Sequence, residues 1–153
     1  MTRSDAEEGF TLLEVVCVVA IIAMMVAVLL PRMPRGTSRP RLEAYAIEIA
    51  SVLKADRSAA IRRRSPIATE VSTSSRWIRS GATGKTVRIP VDVTYQATLP
   101  QRCNQRLGSS RIDFFASGMS CGGAVTLTRY GVGYEVRVNW LLGGVEVVAY
   151  RSL

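Results

Sequence analysis

The stretch Gly9-Phe10-Thr11-Leu12-Leu13-Glu14 runs without a break into the apolar segment Val15 to Leu30, and Pro31 follows. Glu14 is the single charge between Phe10 and Leu30, a run close to the ~20 residues with which a helix crosses a bilayer. A carboxylate inside such a segment is costly unless it finds a partner, so Glu14 reads as a functional residue. Ahead of the run lies a polar leader, Met1 to Glu8, closed by Gly9. A secretory signal puts its small-residue cut site after the apolar region. Here the candidate cut, Gly9|Phe10, precedes it.

Working outward, Pro31, Arg32, Pro34, Arg35, Gly36, Arg39 and Pro40 mark the end of the apolar run, and proline there loosens or kinks a helix. Arginines crowd this flank while the leader is acidic, which on charge alone favours a cytoplasmic C-terminus. The leader-before-anchor order and the cysteines of the remaining chain favour export instead, and the motif discussed below decides for export.

The chain has 153 residues, of which roughly 120 lie beyond the leader and apolar run, enough for one small domain. Its net charge is +8, carried mainly by dispersed arginines with one cluster, Arg62-Arg63-Arg64. Such a surface suits nucleic acid, anionic lipid or an acidic partner, or is simply a solvated basic face. Histidine is absent, which removes the commonest metal ligand and general base. Cys17 sits inside the apolar run as a small hydrophobe. Cys103 and Cys121 read most simply as one disulfide, worth roughly 3 kcal/mol by loop closure, with free thiols or half a metal site as the alternative.

From Arg41 to about Arg64, Leu42, Tyr45, Ala46, Ile49, Val52 and Leu53 recur at helical spacing, with Ala59, Ala60 and Ile61 continuing the stripe. Glu43, Glu48, Lys54, Asp56 and Arg57 fall between them, and Ser65-Pro66 ends the helix. Beyond Pro66 the period changes to two. Strands are expected at Ile67–Val71, Thr86–Ile89, Val93–Ala97, Arg111–Phe115, Ala124–Thr128, Tyr134–Trp140 and Val145–Tyr150, separated by glycine-marked turns. Residues 72–75 and 101–110 read as loops. Asp92 and Asp113 read as turn or surface residues, and Trp77 and Trp140 as core or groove-lining aromatics. No nucleophile elbow, phosphate loop or metal-spaced cluster is present, so the sequence points to no catalytic residue, no metal and no cofactor.

The tract Gly9 to Glu14 with its apolar continuation resembles the cleavage and methylation motif of type IV pilins and pseudopilins. Counted from Phe10, Glu14 is the fifth residue and Pro31 the twenty-second, both where that family has them. The resemblance implies cleavage after Gly9 by a prepilin peptidase, N-methylation of Phe10, and a Glu14 carboxylate paired with the α-ammonium of a neighbouring subunit's Phe10. Such a pair relieves a buried charge and sets register. Arg57-Ser58-Ala59-Ala60-Ile61-Arg62, Ile112 to Gly118, Gly122 to Leu127 and Val136 to Val145 resemble general secretion pathway protein H, pseudopilin H, and the related minor pilin FimT.

That resemblance implies an α+β, pilin-like fold: a long N-terminal helix, membrane-spanning and then amphipathic, packed on antiparallel β-sheets. The expected domains are a leader at 1–9, a transmembrane helix at 10–31, an amphipathic helix at 32–65 and a periplasmic β-rich domain at 66–153. The implied role is assembly in a type II secretion pseudopilus at the inner membrane. Implied partners are prepilin peptidase, other major and minor pseudopilins, the inner membrane, and the secretin or exported cargo. The alternative is a FimT-like pilus subunit gripping DNA for uptake. Gly144 stands where the family has an arginine and no basic tail follows the last strand, so nucleic acid is disfavoured.

Overall fold

The computed structural model describes residues 11–29, 36–103, 106–107 and 110–151. The chain divides into two units, 1–35 and 36–153.

In the first unit the apolar run forms helix α1, Leu12–Leu29. A helix satisfies its backbone groups internally, the requirement that an apolar surround imposes. Its described side chains are uncovered within the chain: Leu12 is 82% exposed and Met24 74%. At ~1.5 Å per residue α1 extends about 27 Å, against about 30 Å of hydrocarbon in a bilayer. Among the described residues no helix is long and apolar enough to cross a membrane. Phe10, Leu30 and Pro31, the ends of the expected span, lie outside the described residues.

The second unit opens with helix α2, Arg39–Arg63. It begins later than the expected 32–65 helix, since Gly36 to Ser38 are not helical. Pro40 is tolerated in the first turn because the amide it lacks would have no intrahelical partner there. At the other end Arg64 turns left-handed (φ 50°), and the Ser65 amide reaches back to the Ala60 carbonyl at 3.3 Å. Pro66 then prevents any continuation.

Strands β1 (Ile67–Ser72), β2 (Trp77–Arg79), β3 (Thr86–Arg88), β4 (Thr94–Thr98), β5 (Arg102–Cys103), β6 (Arg106–Leu107), β7 (Arg111–Phe114), β8 (Gly123–Arg129), β9 (Val132–Val138) and β10 (Val145–Arg151) follow. They form two four-stranded antiparallel sheets, ordered β3-β2-β1-β7 and β10-β9-β8-β4, and a small β5-β6 hairpin. The alternation expected from sequence is visible as inward-facing Ile67, Thr69 and Val71 on β1 and Val125 and Leu127 on β8. Two strand regions escaped that pattern. β2 follows a serine-rich turn and is three residues long, and β5-β6 lies in the stretch read as a loop.

Helix α2 lies against both sheets. Leu42, Ala46, Ile49, Val52 and Leu53 meet Val71, Ile78, Ile112, Phe114, Val125, Leu127 and Val136 in one core. The stripe fails at Ile61, which is 41% exposed. The crossing from one sheet to the other, Ile89 to Val93, is pinned by Arg76. Its guanidinium donates to the carbonyls of Ile89 (3.4 Å), Pro90 (2.5 Å) and Val93.

Candidate functional site

Of the residues expected to direct processing and assembly, Gly9, Phe10 and Pro31 lie outside the described residues. Glu14 occupies the first turn of α1 and is exposed. Its amide donates to the Thr11 hydroxyl at 3.3 Å. Thr11-Leu12-Leu13-Glu14 therefore forms one half of a capping box, a local signal that the sequence reading passed over. Among the described residues the Glu14 carboxylate has no partner, and it stands where the helix dipole favours negative charge. Cys17 is free and exposed on the same helix.

The second unit carries three polar nodes that hold α2 to the sheets. The first is Asp56, expected on the polar face and instead fully buried. One carboxylate oxygen accepts from the Thr69 hydroxyl (2.6 Å) and the Gly81 amide (3.1 Å). The other accepts from the Ser80 hydroxyl and the Ala82 amide (3.1 Å). Four donors stand in for water around a buried carboxylate and lock the β2–β3 turn onto the helix. Asp56 lies three residues after Leu53 and four before Ala60, on the buried stripe itself, but its partners all come from other elements, so the helical spacing did not show what would satisfy it.

One residue on, Arg57 donates from Nε to the Gly118 carbonyl (3.0 Å) and from Nη2 to the Leu142 carbonyl (2.9 Å). The two loops it joins touch each other closely. Gly143 has φ +60°, and a Cβ there would run into the Gly118 carbonyl. Asn139 completes the β9–β10 turn by accepting from the Leu141 and Leu142 amides at 2.8 and 3.0 Å. This rigid end presents Trp140 (64% exposed) and Leu142 (67%), so Trp140 is neither core nor groove lining. Gly144 faces open space.

The third node lies at the opposite end of α2. Asp92 accepts from the Thr37 amide (2.7 Å) and hydroxyl (3.0 Å) and pairs with Arg129 at 3.3 Å. The Thr37 amide, more than the Arg129 charge, holds the Asp92 carboxyl below the usual carboxylate range. Asp92 is thus an anchor between the start of α2 and the second sheet, where the sequence suggested a plain turn residue. Asp113, the other carboxylate, pairs with Arg111 at 3.3 Å. Trp77 is half-buried beneath the Arg79 guanidinium, 4.9 Å from its ring centre.

Cys103 and Cys121 are joined by a disulfide with Cα atoms 5.6 Å apart. It ties the β5-β6 hairpin to the β7–β8 loop and removes both sulfurs as thiolate ligands. Disulfides of this kind form and persist in oxidising surroundings.

A profile of the type II transport protein GspH family matches residues 46–143, which contain Asp56, Arg57, Asp92 and Arg129 and most of both sheets. The chain belongs to the GspH family. The prokaryotic N-terminal methylation motif also matches, over residues 5–30. Type II secretion system protein H of Xanthomonas campestris pv. campestris is 29% identical over 145 residues, covering 94% of this chain and 85% of that protein. Among solved structures, the minor pseudopilin EpsH from the type 2 secretion system of Vibrio cholerae aligns with TM-score 0.55 and 11% identity, over 71% of this chain and 96% of EpsH. The Pseudomonas aeruginosa type IV minor pilin FimU aligns with TM-score 0.52 and 17% identity, over 73% and 91%. At these identities the two structures speak for the pilin-like α+β fold alone. The GspH profile and the curated relative both point to type II secretion, and the FimT-like alternative fits less well.

Proposed function

We propose that this GspH-family chain works as a minor pseudopilin. In this reading a prepilin peptidase cuts after Gly9 and Phe10 is N-methylated. The Phe10–Leu30 segment holds the chain in the inner membrane, with the β domain in the periplasm, until it joins other pseudopilins in the secretion filament. The observation that carries this is α1 itself: an 18-residue helix with one carboxylate and an uncovered apolar surface. Lipid before assembly, and neighbouring helices after it, would supply that cover. Inside the filament the Glu14 carboxylate pairs with the α-ammonium of a neighbour's Phe10, a contact that is strongly favoured where water is excluded.

N-terminal analysis of the mature protein tests the processing step, with methylated Phe10 as the expected first residue and any other start overturning it. Glu14→Gln tests the carboxylate charge by itself. It leaves the Thr11 cap in place but removes the charge, so it is expected to stay in the membrane and fail to enter filaments. Wild-type incorporation by Glu14→Gln would remove the ion pair from the mechanism.

A further inference from the structure

The end of the domain where α2 begins carries two exposed apolar side chains on turn tips. Val91 is 90% exposed and Tyr130 89%. They belong to one surface, because Asp92 joins Thr37 to Arg129, and Arg129 stacks over the Tyr130 ring at 4.6 Å. A hollow of about 160 Å³ there is lined by Thr37, Arg39, Leu42, Arg129, Tyr130 and Val132. Tyr130 takes φ +49° in the tight turn before Gly131, a position that favours asparagine or glycine. A costly backbone conformation that displays an aromatic ring to solvent calls for a use beyond closing the turn.

The charge of this end is also distinctive. Asp92 is engaged by Thr37 and Arg129, and Glu43 accepts from the Tyr134 hydroxyl at 3.0 Å. Arg39 and Arg41 are exposed, and among the described residues neither makes a salt bridge.

We propose that this end of the domain docks on an anionic phospholipid surface. Tyr130 and Val91 sit at headgroup level, where amphipathic aromatics collect, and Arg39 and Arg41 face the phosphates. The inference rests on the reading that Phe10–Leu30 is held in a bilayer. Five residues, 31–35, separate Leu30 from Gly36, and the six steps between them reach at most about 20 Å. A tether of that reach permits Thr37 and its neighbours to meet the headgroups, and the docked state would hold a subunit ready for extraction into the filament.

The test uses the full chain in lipid nanodiscs of brominated phosphatidylcholine, alone or mixed equally with brominated phosphatidylglycerol. Val91→Trp and Tyr130→Trp each add one reporter to a parent containing Trp77 and Trp140. The expected result is co-elution with the discs and quenching well above the parent's, stronger with phosphatidylglycerol. Arg39→Gln and Arg41→Gln should each lower the docked population roughly five-fold. Co-elution with only the parent's quenching overturns the docking and leaves the anchor standing. Equal quenching in the two lipids overturns the recognition of anionic headgroups. Quenching that depends on several copies sharing one disc assigns this end to subunit contacts and overturns the proposal. Failure to co-elute overturns the anchor reading and the docking together.

Discussion

The Arg57 guanidinium on α2 reaches the Leu142 carbonyl at 2.9 Å, across 85 residues of sequence, while its Nε holds the Gly118 carbonyl at 3.0 Å. One side chain thereby fixes two loops against each other and against the helix. The planar guanidinium holds two separate nitrogens in a fixed geometry that meets both carbonyls, whereas an ammonium on a flexible stem offers a single nitrogen with no such pre-organisation.

Arg57→Ala is expected to cost about 2 kcal/mol, since two charge-assisted bonds are lost at a half-buried site. Arg57→Lys should recover less than half of that. Urea unfolding followed by tryptophan fluorescence gives the numbers, and hydrogen exchange should speed up at 117–118 and 141–143 in both variants. An Arg57→Lys protein as stable as wild type would show that charge alone suffices.

Asp56 predicts a sharper result. Each of its oxygens faces one hydroxyl and one backbone amide. In Asp56→Asn the new NH2 group must face an amide whichever way it is turned, because a hydroxyl can rotate to accept and an amide cannot. Both Asp56→Asn and Asp56→Ala are therefore expected to lose roughly 3 kcal/mol, with unpaired donors left in a buried site. Thermal unfolding checks this, and an Asn variant within error of wild type would contradict the arrangement.

Stability should fall on the acid side through Asp92. The folded carboxyl holds its proton less tightly than an unfolded one, whose ordinary value is 3.8, because the Thr37 amide and then Arg129 favour the charged form. The stabilisation is present above that value and is lost as pH falls through the lower, folded one. Asp92→Asn should be less stable at neutral pH and should show a shallower acid limb in a plot of Tm against pH. Superimposable limbs would count against it.

Tyr95 on β4 has a buried hydroxyl with no partner among the described residues. Burial pushes that hydroxyl up to about 12 from 10.0. The folded form keeps its proton where the unfolded form loses it, so this contribution is intact below pH 10.0 and declines as pH climbs towards 12. Tyr95→Phe removes an unsatisfied group, so it is expected to be neutral or up to about 1 kcal/mol more stable, with a flatter alkaline limb. A loss of stability in the Phe variant would mean that the hydroxyl has a partner.

Much of the architecture was legible in order along the chain. The apolar run, the helical stripe of Leu42, Ala46, Ile49 and Leu53, and the alternation along β1, β8, β9 and β10 each arise from local periodicity. The glycine-marked turns and the 103–121 cysteine pair were readable for the same reason: their residue types have few other uses. β2 and the β5-β6 hairpin were not, because segments of three and two residues carry too few alternations to signal a strand.

The sequence by itself determined where the chain presents its N-terminal motif, which helix faces the core, and that the rest is antiparallel β. Periodicity and turn chemistry are properties of neighbouring residues. Only the tertiary structure decided that Asp56 is a buried anchor, that Arg57 joins two loops, and that Asp92 ties the start of α2 to Arg129. Each of those roles is set by donors and acceptors that lie far away in sequence, and folding alone brings them within hydrogen-bond reach.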